Sequence, residues 1–176
     1  MTTQKKSPHM STSRLVSLAL FTALALIIHT VEASLVNLIP IPGVKPGLAN
    51  VITLIVLMLY GAGDAFLVLM LRIVLSAVFA GQIIFLAYSL AGGVLCFGVM
   101  ALLCRAFRKK HIVLTSMFGA VFHNLGQILV ALLLTGSTAV LIYVPFLMLS
   151  ALVTGAFTGM AAQFTVRKLT KISSNP

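Results

Sequence analysis

Apolar residues are grouped into six runs that short polar segments separate. A helix rises about 1.5 Å per residue and a bilayer core is about 30 Å thick, so a span needs about 20 residues. The second run, residues 48–60, is too short to cross unaided. The pattern predicts an all-α integral membrane protein with six transmembrane helices, a short second helix and a Pro/Gly-rich first loop. The other runs are residues 15–35, 65–80, 83–103, 112–134 and 139–164.

Composition supports this class, because 60% of the 176 residues are hydrophobic and only 8% are charged. Soluble domains carry about 25% charged residues. The net charge of +10 does not indicate nucleic-acid binding, since the basic residues flank the apolar runs, as in membrane proteins. No metal-ligand cluster and no cofactor motif occurs, and there is no P-loop through which the chain would use ATP.

The distribution of Lys and Arg predicts the orientation of the chain. With the amino terminus in the cytoplasm and six crossings, ten of the twelve basic residues lie inside, Lys45 lies outside and Arg72 lies within a span. Residues 1–13 are then a disordered cytoplasmic tail, 14–168 one membrane domain and 169–176 a second cytoplasmic tail. The ten are Lys5, Lys6, Arg14, Arg105, Arg108, Lys109, Lys110, Arg167, Lys168 and Lys171.

A signal peptide is the alternative interpretation of the first run, with Val31, Glu32 and Ala33 as the cleavage site. It is disfavoured because the run is long for a signal and another membrane segment follows it. Both cysteines, Cys96 and Cys104, are expected to be buried thiols and not a disulfide.

Arg72 is the most unusual residue within a span. An arginine at that depth costs at least about 2.5 kcal/mol, so its side chain should face the bundle interior and have a partner. Asp64 lies eight residues earlier, roughly on the same helix face. Two interpretations stay open: a structural Asp64–Arg72 ion pair, or an Arg72 that binds an anionic substrate.

The fifth run carries His123, Asn124 and Gln127 on one helix side. They either form hydrogen bonds between helices or line a binding cavity. Near the outer end of the first run, His29 and Glu32 are further candidates for that cavity. The sequence also places Lys45 and Asn50 above or beside it, and these two complete the candidate substrate-binding residues.

Small residues predict close helix contacts. Ala19 and Ala23, four residues apart, form a small-xxx-small face on which another helix can pack, within the bundle or from a partner protein. Gly119, Gly155 and Gly159 are expected to serve packing inside the bundle.

The segments PGVKPGLANVITL and YGAGDAFLVLMLR resemble a family of small bacterial membrane proteins, the Gx transporters, also labelled heptaprenyl diphosphate synthase component I. The resemblance covers residues 14 to about 164. This family is in turn similar to the S components of energy-coupling-factor (ECF) vitamin transporters. Those proteins have six helices, an outward-facing pocket under a mobile first loop, and an alanine-rich first helix that docks on a transmembrane partner driven by two ATPases.

The resemblance implies a bacterial cell-membrane protein that binds a small nutrient, such as a vitamin or an isoprenoid- or quinone-related precursor, for ATP-driven uptake. Ala19 and Ala23 would then be the docking motif and residues 36–47 the lid. The alternative is a non-catalytic accessory subunit of polyprenyl diphosphate or quinone synthesis. Prenyl transferases hold Mg²⁺ with aspartate clusters, and Asp64 is the only aspartate, so the chain is not expected to be an enzyme by itself.

Overall fold

The computed structural model describes residues 11–36, 47–81, 83–107 and 109–173, and all regular structure in them is helical. Five helices are long and apolar enough to cross a membrane, and one apolar helix is shorter, so the all-helical architecture and the short second helix are confirmed. The sixth run begins with a 3-10 helix, Thr138–Tyr143, ahead of the longer helix. The α-helices are α1 Thr12–Val36, α2 Asn50–Leu59, α3 Ala62–Ala80, α4 Ile83–Ala106, α5 Ile112–Thr135 and α6 Val144–Ser173.

The short helix α2 lies in the centre of the bundle. Its ten residues are apolar on all sides except at Asn50 and Thr53, and eight of them are buried. α1, α3 and α6 supply most of its neighbours. A helix that is hydrophobic all round belongs in an interior. α2 is therefore enclosed by protein, whereas the longer helices expose large apolar side chains on the outside of the bundle, as a membrane protein requires.

α5 packs against α4 on one side and against α6 on the other, and glycines lie at both contacts. A Cβ on Gly126 of α5 would lie 2.7 Å from the Ala91 carbonyl oxygen of α4. On α6, a Cβ on Gly155 would lie 2.7 Å from the Cα of Met117. Backbones approach this closely only where side chains are absent. The expected packing role of Gly119, Gly155 and Gly159 is confirmed, since each meets a neighbouring helix at similarly short range.

Interactions between helix ends show which segments meet at one end of the bundle. Arg14 at the start of α1 pairs with Asp64 at the start of α3, with Nη2 2.6 Å from Oδ2. The Lys109 ammonium, between α4 and α5, donates to the Met58 carbonyl oxygen of α2 at 2.7 Å. We call this the cationic end, and its described basic residues are Arg14, Arg105, Lys109, Lys110, Arg167, Lys168 and Lys171.

The Asp64–Arg72 ion pair predicted from spacing is wrong, because Asp64 binds Arg14 instead. Asp64 belongs to the first turn of α3, and eight residues of helix place Arg72 about 12 Å deeper in the membrane. Both cysteines are free and buried, as expected. Several predicted features lie outside the described residues. They are Lys45, Arg108, most of the expected lid, and the predicted tails up to residue 10 and beyond residue 173.

Candidate functional site

A group of buried and half-buried residues, polar except for one glycine, lies in the half of the bundle opposite the cationic end. It surrounds a cavity of about 10 Å³, which has room for roughly one water molecule. The residues come from α1, α3, α4 and α5 and from the backbone that leads into α2. We call this group the polar cluster, and it consists of His29, Glu32, Gly47, Arg72, Ser89, His123 and Gln127.

Glu32, near the end of α1, joins that helix to the start of α2. The side chain is only 2% exposed. Its carboxylate oxygens accept hydrogen bonds from the Gly47 amide and, at 3.4 Å, from the Ala49 amide. The first amides of a helix lack partners within the helix. The N-cap residue of α2, Ala49, makes no side-chain capping hydrogen bond. Glu32 instead supplies the negative charge that stabilises the amino terminus of α2.

Arg72 is buried in the middle of α3, with 4% of its surface exposed. Its Nη1 atom lies 3.4 Å from the Asn50 Oδ1 atom, and its charge interacts with that of Glu32 across the cavity. The predicted inward orientation of Arg72 is confirmed. Asn50 is its hydrogen-bond partner, and the Glu32 side chain lines the same cavity; together they offset the cost of placing a guanidinium at this depth.

α5 contributes His123 and Gln127, one helical turn apart, to the same cavity. The imidazole of His123 fits against α4 because Gly92 has no side chain. A Cβ there would lie 2.9 Å from the imidazole Cε1 atom. Ser89, one turn earlier on α4, completes the wall.

Asn124 points away from this cavity, although it is sequence neighbour to His123. Its Nδ2 atom donates to the Leu147 carbonyl oxygen of α6 at 2.8 Å. A buried Ser116–Thr158 hydroxyl pair, 2.9 Å apart, joins the same two helices nearer the cationic end, about two turns away along α5 and about three along α6. Asn124 thus takes the helix-bridging role that the sequence left open for all three polar residues of α5.

A second and larger cavity of about 490 Å³ adjoins the polar cluster through Gln127. It lies between α4, α5, the 3-10 helix and α6. Its size is within the range of about 300–1,000 Å³ found for small-molecule sites. Its wall is mainly apolar, and we call it the apolar cavity. Its other lining residues are Phe85, Tyr88, Ile128, Ala131, Thr135, Ser137, Ala139, Val140, Tyr143 and Leu147.

The structure brings most of the sequence-derived candidates together. His29, Glu32, Arg72, His123 and Gln127 line one cavity, and Asn50 joins them through Arg72. Ala19 and Ala23 lie on the exposed side of α1, which leaves their docking role a prediction.

Sequence reasoning missed the backbone of Gly47, the hydroxyl of Ser89 and the apolar cavity. Ser89 follows Tyr88 in the otherwise apolar run 83–103. This polar pair is a signal that could have indicated the Ser89 hydroxyl and the apolar cavity, which Tyr88 lines.

Comparison with curated proteins and with solved structures gives no match. A family model described as heptaprenyl diphosphate synthase component I matches residues 21–165, which include all residues of the polar cluster and the apolar cavity. This chain is therefore a membrane protein that belongs to the heptaprenyl diphosphate synthase component I family.

Proposed function

We propose that the chain is the substrate-binding membrane subunit of an uptake system, similar to the S components of ECF transporters. The observation that carries this proposal is the convergence of buried polar side chains from four helices beneath the backbone that opens α2. Ionisable groups within a membrane are expensive, and they commonly mark a substrate pathway. A purely structural bundle would have no need to collect two histidines, a glutamate and an arginine at one depth.

The location of the cluster supports binding from outside. By the positive-inside rule, the cationic end faces the cytoplasm. The polar cluster then lies in the outer half of the bundle, below the residues that lead into α2. In this role the chain hands its solute inward after docking on a transmembrane coupling protein with two ATPase subunits, and Ala19 and Ala23 are the proposed contact.

The polar cluster is closed in this structure, because a cavity of about 10 Å³ excludes any nutrient. Binding therefore requires the Gly47–Ala49 backbone or the end of α1 to move. The apolar cavity supplies volume directly beside the cluster, and Gln127 lines both. A solute with one polar group and an apolar body fits this combination best.

Mass spectrometry of gently solubilised protein tests the proposal. We expect the wild-type chain to retain a small molecule and an Arg72→Met variant to lose it, with affinity lowered roughly 10- to 100-fold because a hydrogen bond to a charged group is removed. Arg105→Met is the matched control, since it makes the same change at the exposed cationic end. Equal ligand retention by both variants, at equal folded yield, would contradict the proposed site.

The family description favours a second candidate, a non-catalytic accessory subunit of polyprenyl diphosphate synthesis. Only two acidic residues exist, and Glu32 and Asp64 lie in opposite halves of the bundle, so they cannot jointly hold Mg²⁺ against a diphosphate. Affinity purification separates the two functions. Co-isolated ATPase subunits support uptake, whereas a co-isolated soluble prenyl synthase and altered polyprenyl chain lengths on deletion support the accessory role.

A further inference from the structure

Glu32 occupies the position in which helix amino termini commonly hold an anionic ligand. The free amides and the positive dipole end of a helix favour a carboxylate or phosphate there. In this chain the amides of Gly47 and Ala49 are directed at the Glu32 carboxylate. That carboxylate comes from a different helix, so it is a neighbour that fills the position and not part of α2 itself.

The other groups around this position also suit an anion. Arg72, 4% exposed, contributes a full positive charge to the same cavity. The Asn50 amide nitrogen is buried and has no hydrogen-bond partner among the described residues. It lies next to Gly47, 3.1 Å from the place that a Cβ on that residue would take, and so beside the backbone that Glu32 binds. A buried donor without a partner costs about 1–3 kcal/mol, which an additional acceptor would recover.

Charge balance restricts how an anionic ligand enters. The charges of Glu32 and Arg72 balance each other, so a further buried anion would need a proton on His29 or His123 of the same cluster to compensate it. The cavity of about 10 Å³ also leaves no room for one. Exchange of one anion for another meets both constraints, because the ligand takes over the contacts that Glu32 releases.

We propose that Glu32 is an internal substitute for the anionic group of the solute, and that the solute binds by displacing the Glu32 carboxylate from the Gly47 and Ala49 amides, in the cavity that Arg72 also lines. The ligand class is a small molecule with one carboxylate or phosphate group and an apolar body that extends past Gln127 into the apolar cavity. This inference rests on the proposed uptake function and names its substrate class. Displacement separates the end of α1 from the start of α2, so binding of the anion and opening of the cluster are one event.

Chemical rescue with acetate tests the anion position without knowledge of the natural solute. In a Glu32→Ala variant the carboxylate is missing, and acetate is expected to replace it and to raise the thermal unfolding temperature. The rise should be roughly 2–4 °C for each fivefold increase in acetate above its dissociation constant. Potassium chloride at equal ionic strength and neutral acetamide should not produce it.

Asp64→Ala is the matched control, since it removes the only other acidic residue and changes the net charge equally. Its unfolding temperature should not respond specifically to acetate. A Glu32→Ala, Arg72→Met double variant should lose the rescue. If Glu32→Ala cannot be isolated, Glu32→Gln replaces it, and acetate should stabilise this variant at lower concentrations than the wild type.

An acetate response in the Glu32 variants no larger than that to chloride or acetamide would overturn the inference. Ligand retention that depends on Arg72 with no acetate effect would leave the uptake function standing and remove only the displacement of Glu32. Acetate rescue in a chain that retains no solute and associates with a prenyl synthase would support the anion position and reject uptake.

Discussion

Thr53 and Thr115 are equally buried, but their hydroxyl groups have different surroundings. Each side chain is 1% exposed. The Thr115 hydroxyl donates to the His111 carbonyl oxygen at 2.9 Å. The Thr53 hydroxyl, in the central helix α2, has no hydrogen-bond partner among the described residues. The cost of burying a hydroxyl therefore differs between the two positions, although the residue and its burial are the same.

Replacing each threonine by valine should change stability in opposite directions. Thr53→Val removes an unpaired polar group and should raise the free energy of unfolding by about 1 kcal/mol. Thr115→Val loses a hydrogen bond and should lower it by roughly 0.5–1.5 kcal/mol. Thermal unfolding of the purified variants measures both changes. Destabilisation by Thr53→Val would show that its hydroxyl has a partner.

Which single residues are unusual could be predicted from the sequence, but their partners could not. Arg72 is conspicuous because ionisable residues are rare within apolar runs of this length. Its spacing from Asp64 indicated a shared helix face, yet Asp64 pairs with Arg14, fifty residues away in the sequence. Asn124 and His123 illustrate the same limit. Their chemistry was evident, but only the position of α6 decides that Asn124 binds Leu147.

At the scale of elements, glycines determine how closely α5 approaches α4 and α6. The apolar runs 83–103 and 112–134 predicted α4 and α5 to within three residues, because apolar length is a local property. α6, Val144–Ser173, begins five residues after the start of the run 139–164 and extends nine residues beyond its end, because its last turns are polar. The distance between two helices depends on which residues face each other, and one sequence does not show this. Gly126 and Gly98 make the difference plain, because only Gly126 meets a neighbouring backbone.

Alanine substitutions at these two glycines should therefore have opposite effects. Gly126→Ala places a methyl group 2.7 Å from the Ala91 carbonyl oxygen and should destabilise the protein by about 1–3 kcal/mol. Gly98→Ala meets nothing within 4 Å and should be neutral or stabilise α4 by up to about 1 kcal/mol. Thermal unfolding in one detergent compares them, and equal loss of stability in both would contradict the close α4–α5 contact.

For the whole molecule, the concentration of described basic residues at one end is the dominant electrostatic feature. Alternating helices carry Arg14, Lys109 and Lys168 to the same end, whereas Ser137 and Gly81 lie at the other. The positive-inside rule then predicts that both termini are cytoplasmic. The polar cluster, lying toward the opposite end, would be reached from outside.

Labelling of single cysteines on intact cells tests this orientation. A membrane-impermeant maleimide should modify Ser137→Cys directly and Lys168→Cys only after the membrane is disrupted, since both positions are exposed but at opposite ends. The native cysteines are buried and provide the unlabelled background. The reverse pattern would place the polar cluster on the cytoplasmic side.

The shortness of α2 has a consequence for how the chain enters the bilayer during synthesis. Ten residues of helix extend about 15 Å, half the thickness of the hydrocarbon layer, so this segment cannot remain there as a solitary rod. Its neighbours α3 and α6 are synthesised later. The central helix α2 can therefore take its final position only after α3 and α6, which surround it, have themselves entered the bilayer.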